Sequence, residues 1–113
     1  MDMIDARKIY DEMMQSSDGV DGLRSLQRDL LELAIRYARL RADWRMEDLE
    51  GRIAMDARRR LAHNAFIDSC DILSRACVKF ERPDEWRRKL GSDRKEIGDF
   101  ACLVHAILGV LAR

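Results

Sequence analysis

Proline is nearly missing: Pro83 is the only one in 113 residues, and no long glycine or serine tract accompanies it. So few breakers leave little room for a linker, and the length suits a single domain, residues 1–113, with a modest core. Net charge is missing too. Twenty-one basic side chains are balanced by 21 acidic ones, so no global field draws the chain to nucleic acid or to a membrane surface, and any such contact must come from a local patch. Three cysteines, an odd number without framework spacing, speak against a disulfide scaffold and read as free thiols. The acidic start lacks the basic and apolar regions of a signal peptide. The uncharged run from Phe100 to Ala112 is 13 residues, short of the roughly 20 that a bilayer span requires. The expectation is a cytoplasmic protein with no membrane contact.

What is present is helical periodicity. A first helix beginning after Asp2 or Asp5 carries Ile9, Met13 and Met14 inward and is interrupted by Ser16, Ser17, Asp18 and Gly19, residues that favour turns. A second starts near Asp21, where Leu26, Leu30, Leu33, Tyr37, Leu40 and Trp44 recur in alternating steps of four and three, a coiled-coil-like seam. Arg28, Glu32, Arg36 and Arg39 lie opposite. Glu47, Asp48 and Glu50 suit a new helix N-terminus, so a bend or short turn falls between Asp43 and Gly51. The third helix runs to about Phe80 with Leu61, Ala62, Ala65, Phe66, Ser69, Ile72, Leu73, Ala76 and Phe80 on one broad face, and Pro83 ends it. A short helix from Asp84 to Leu90 stops at Gly91. Asp93 and Glu96 have the form of a capping box for a last helix with its body at Ile97–Ala112. Apolar groups surround that helix, which makes it either the central element or, through 97–112, a homodimer seam. The fold class is therefore all-α, a compact bundle of four main helices plus one short helix.

Three patterns bear on chemistry. His63, Cys70 and Cys77 recur every seven residues, but ligands about 10 Å apart along a helix cannot share a zinc ion. Glu47 and Glu50 form E-x-x-E, and Asp68 and Asp71 form D-x-x-D. These pairs resemble the acidic pairs of the all-helical nucleoside triphosphate pyrophosphatases, a resemblance that implies Glu47, Glu50, Asp68 and Asp71 as magnesium ligands and water as the nucleophile. The second pair has Asp where that family has Glu, and Arg52 to Ile67 contains no breaker, which puts the pairs on the order of 27 Å apart on a straight helix. The run Arg58-Arg59-Arg60, with Arg52, Arg87 and Arg88, offers phosphate contacts for nucleic acid, opposed by acidic neighbours. Arg58 itself projects toward the apolar side of the third helix and calls for a carboxylate partner.

The remaining pattern is a polar stripe at steps of four, four, three and four: Arg60, Asn64, Asp68, Asp71 and Arg75. Ile53, Ile67 and Val78 lie along the same side, and such a mixture suits a helix facing a protein partner. Two blocks, Arg59-Arg60-Leu61-Ala62-His63-Asn64-Ala65-Phe66-Ile67-Asp68 and Asp93-Arg94-Lys95-Glu96-Ile97-Gly98-Asp99-Phe100-Ala101, resemble those of small uncharacterised helical proteins of gut bacteria and their mobile elements. The likeness covers the C-terminal half and implies a stand-alone binding domain, a regulator or an inhibitor of host defence machinery. The expected function is non-catalytic protein contact through Arg60, Asn64, Ile67, Asp68, Asp71 and Arg75, with no cofactor.

Overall fold

A computed structural model describes all residues from Met1 to Arg113. Five helices follow one another: α1 Met3–Ser17, α2 Asp21–Met46, α3 Leu49–Lys79, α4 Glu85–Leu90 and α5 Arg94–Leu111. There are four main helices and one short helix, as the periodicity predicts, and none is long and apolar enough to cross a membrane.

The boundaries follow local chemistry. Asp2 accepts from the amide of Asp5, and Asp48 from that of Gly51, each at 2.8 Å. Asp93 accepts from Lys95 N and Glu96 N at 2.9 and 3.2 Å. Each carboxylate thus satisfies amides that have no partner inside the helix. Only half of the expected capping box is built, because the Glu96 carboxylate turns away and pairs with the α-amino group of Met1 at 2.8 Å. The turn between α2 and α3 is only Glu47 and Asp48. Arg52 closes it, donating from Nε to the carbonyl of Trp44 and from Nη2 to that of Arg45, so a cation sits at the negative end of α2.

At the end of α3, Arg82 N bonds Cys77 O at 2.8 Å and Glu81 N bonds Val78 O at 3.0 Å. This is the paired pattern of a Schellman cap, with Glu81 at φ 59 in the left-handed position usually given to glycine. The same segment fastens α1: Arg82 donates to the carbonyls of Ser16, Asp18 and Gln15 at 2.8, 2.9 and 3.2 Å, while Ser16 Oγ donates to Pro83 O.

The two longest helices, α2 and α3, form an antiparallel hairpin. Helix α5 lies along one side of it, mainly on α2, and α1 packs against α4 and α5. Met13, Leu23, Leu30, Phe66, Leu73, Trp86, Phe100 and Val104 are fully enclosed where these elements meet. The seams are rotated from the expected ones. In α2 the buried line is Leu23, Leu30, Ala34, Tyr37 and Ala38, leaving Leu26, Leu33, Leu40 and Trp44 half-buried. In α3, Cys70, Ser74 and Cys77 join Ala62, Phe66, Ser69 and Leu73 inside, while Leu61 is 68% exposed and Ile72 and Phe80 are exposed as well. The reason is geometric: each long helix serves neighbours on more than one side, so the buried arc centres between them rather than on the strongest apolar line. Arg58 corrects the sequence reading in the same way. It is exposed and has no carboxylate partner: position 58 lies on the same side as Ala62, one turn away, but no other helix covers α3 there.

Helix α5 shows one buried stripe, Ile97, Phe100, Ala101, Val104 and Ile107, while Ala106, Gly109, Val110 and Leu111 face outward.

Candidate functional site

The polar stripe of α3 is divided by its neighbours. Asp71 pairs with Arg87 of α4, Oδ1 to Nε at 2.7 Å, and Asn64 accepts from Arg94 of α5. Ile67 packs against the core. These three positions are engaged within the chain. Only Arg60, Asp68 and Arg75 face outward, and Arg60 is paired with Asp56 at 3.2 Å. As a single partner-facing row the stripe therefore loses its middle.

Helix α3 is continuous from Leu49 to Lys79, so Glu50 and Asp68 stand on the order of 27 Å apart. The acidic pairs are not brought together, and no group of three or more His, Cys, Asp or Glu side chains is placed to hold a metal ion. Magnesium coordination by Glu47, Glu50, Asp68 and Asp71 within one chain is overturned by the absence of any fold-back between the pairs. All three cysteines are free. Burial pushes the Cys70 thiol up to about 12, so it stays protonated, a packing residue and not a nucleophile.

The arginine run likewise fails to form one phosphate track. Arg59 and Arg60 both reach back to Asp56, and Arg59 also lies 4.6 Å from the centre of the Trp44 ring. Arg52 is engaged with the end of α2, and Arg87 with Asp71. Consecutive residues on a helix diverge by about 100°, which sends Arg58 alone to the opposite side of the hairpin.

There Arg58 meets an open groove. It runs between α2 and α3 on the side that α5 leaves free and encloses about 660 Å³. Leu33 and Leu40 of α2 and Leu61, Ala62 and Ala65 of α3 form an apolar floor. Arg36, Arg39 and Arg58 form the rim with Glu32 and Asp43. None of the three guanidiniums takes part in an ion pair. From Leu61 the apolar surface continues toward the α2–α3 turn. Leu49, Ile53, Ala57 and Leu61 follow at steps of four, so they are neighbours along the helix surface, and Leu49 and Ile53 are strongly exposed.

One sequence signal points here, the Arg-bearing face of α2; the leucines that complete the floor give none, because they read as part of the buried seams. From Glu32 to Asp43 the groove extends for about 16 Å of helix axis, the length of three turns of an occupant helix.

No family model, curated protein or solved structure matches the chain.

Proposed function

We propose that this protein is a non-catalytic binding module that takes up an amphipathic helix of another protein in the groove between α2 and α3. The observation that carries this reading is an apolar floor rimmed by guanidiniums that have no partner of their own. A helix presenting leucine-like side chains at i, i+3, i+4 and i+7 fills such a floor. Acidic side chains flanking that stripe meet Arg36, Arg39 and Arg58, and Arg forms bidentate pairs with carboxylates. Charge at the rim sets the orientation and speeds encounter, while the floor supplies the contact area. A module of this kind acts as a regulator or an inhibitor by covering the helix it holds.

The test uses two synthetic helical peptides with the same leucine stripe, one flanked by Glu and the other by Lys, titrated into isotopically labelled protein. The Glu peptide should shift the resonances of Leu33, Leu40, Leu61 and Ala65, and Leu61→Asp, at an exposed position, should weaken it at least tenfold. No binding, equal binding of the Lys peptide, or shifts confined to another face would overturn the proposal. Light scattering across a dilution series closes the remaining route. A stable dimer that dissociates with Leu61→Asp would make a second copy, not another protein, the occupant.

A further inference from the structure

On the other side of the hairpin, where α5 begins, seven residues from three helices wall a smaller cavity of about 290 Å³. Tyr37, Arg41, Trp44 and Arg45 come from α2, Arg59 and His63 from α3, and Lys95 from α5. Four carry a positive charge, three carry an aromatic ring, and no carboxylate is among them. Four cations around one small space give it a positive potential that favours an anion.

The molecule supplies only part of the counter-charge. Asp99 meets Arg41 at 2.7 Å, and Asp56 is shared between Arg59 at 3.0 Å and Arg60 at 3.2 Å. Arg45 and Lys95 have no ion-pair partner. Arg59 adds a further unmet need, since its Nε is buried without any hydrogen-bond partner. A buried N–H on a charged group seeks an oxygen acceptor, preferably an anionic one.

The wall is also held in place. Arg52 and Arg59 each lie 4.6 Å from the centre of the Trp44 ring, which orients the Arg59 fork as a cation–π contact does. Tyr37 and His63 stack at 4.8 Å with planes 26° apart, and the His63 Nε2–H donates to Arg94 O at 2.8 Å in the neutral ring. Gly98 makes room for this pair, since a Cβ there would stand 2.9 Å from the Tyr37 hydroxyl and 3.2 Å from His63 Nε2.

We propose that this niche between α2, α3 and α5 is a binding site for a small phosphate-class oxyanion, held by Arg45, Arg59 and Lys95 beside Trp44. The volume suits inorganic phosphate, pyrophosphate or the phosphate end of a small ester. The Trp44 surroundings are already taken by two guanidiniums, which disfavours a ligand that must stack a base there. This site stands on the opposite side of the hairpin from the α2–α3 groove and does not depend on what occupies that groove.

The experiment is a titration of the labelled protein with inorganic phosphate, pyrophosphate and a sugar phosphate, each at constant ionic strength against chloride, following the Trp44 indole N–H and the Arg59 Nε–H. Saturable shifts at both groups with a phosphate compound, absent with chloride, are expected. The relative affinities of the three compounds distinguish a free anion from an ester. Arg45→Gln and Lys95→Gln, both at exposed positions, should each weaken binding by about tenfold while leaving the thermal melt in chloride unchanged. Shifts that follow ionic strength alone, or affinity indifferent to both variants, would overturn the proposal. It would equally fail if a short DNA duplex bound with steep salt dependence while the small anions never saturated.

Discussion

Replacing glycine by alanine at two positions of α5 should change stability in opposite directions. In a helix interior the exchange is favourable by about 0.8–1.0 kcal/mol, because the glycine backbone loses more freedom on folding. At Gly109 a Cβ meets nothing within 4 Å. Lying close to the helix end at Leu111, that position should return about half of the gain, roughly 0.5 kcal/mol. At Gly98 the Cβ would stand 2.9 Å from Tyr37 Oη, 3.2 Å from His63 Nε2 and 3.3 Å from Tyr37 Cε2. Neither neighbour is a free side-chain end: Tyr37 is only 3% exposed, and His63 is held by its stack and its bond to Arg94 O. Forcing extra volume into such a contact costs about 1–3 kcal/mol, which outweighs the helical gain. Gly98→Ala should therefore be destabilised by about 1 kcal/mol, and the two variants should differ by about 1.5 kcal/mol, or about 6 °C in Tm for a domain of this size. Urea unfolding followed by circular dichroism, with unchanged slopes, measures this directly. Adding Tyr37→Phe removes the closest atom and should recover part of the loss only in the Gly98→Ala background, a coupling of about 0.5–1 kcal/mol. If Gly98→Ala is as stable as Gly109→Ala, the close approach of α5 to the Tyr37–His63 pair is wrong.

Two further perturbations report on the clasp at the end of α3 and on the middle of the hairpin. Arg82→Met removes all three bonds from its guanidinium to the carbonyls of Gln15, Ser16 and Asp18. Because two of them are exposed to water, the loss should be about 2 kcal/mol, with Arg82→Lys intermediate since an ammonium cannot span the same fork. A urea midpoint unchanged in Arg82→Met would refute the capping role. His63 is held below its ordinary value of 6.5 by burial first, then by Arg94, Arg59 and Arg41, against the raising effect of its bond to the Arg94 backbone. Its folded form thus binds protons less readily than its unfolded form. The stability it contributes is complete above pH 6.5 and is lost as pH falls through the lower folded value. Wild-type protein should lose urea resistance between pH 7.5 and 5.5, and His63→Gln should lose less. An equal decline in both would show that His63 is not responsible.

Helix number and boundaries were legible because each rests on local chemistry. Asp93 and Glu96, Pro83, Gly91 and the Ser17–Gly19 interruption act within a few residues of themselves. The facing of α2 and α3 was not. Leu61, Ile72 and Phe80 satisfy helical periodicity as well as Phe66 and Leu73 do, and only the position of a third helix decides which of them is covered. Ser69 lies on the inward face that the periodicity displays and buried thiols are the plain reading of Cys70 and Cys77, whereas Ser74 gives no signal; all four are buried, and their small size permits close helix contact. Arg58 shares the side of Ala62 in the helical pattern and stays outside because no third helix reaches it. The stripe from Arg60 to Arg75 is real as a helix face, but Arg87 and Arg94 reach it from distant segments and bind Asp71 and Asn64 first. The niche beside Trp44 combines α2, α3 and α5, so no single stretch displays it. The spacing of Arg41, Arg45, Arg52 and Arg59 about Trp44 is the trace it leaves in the sequence.

The contacts of Arg82 also bear on the order in which the chain assembles. Helices α2 and α3 are joined by two residues and find each other through neighbours in the sequence, so their pairing carries a small loop-closure cost. The end of α1 is fastened by a residue 64 to 67 positions further along the chain. Until α3 has formed its own terminus and turned at Glu81, that clasp has no geometry to close on. Helix α1, although it precedes the hairpin in the chain, should thus be among the last elements secured, with the α2–α3 hairpin as the platform on which it waits.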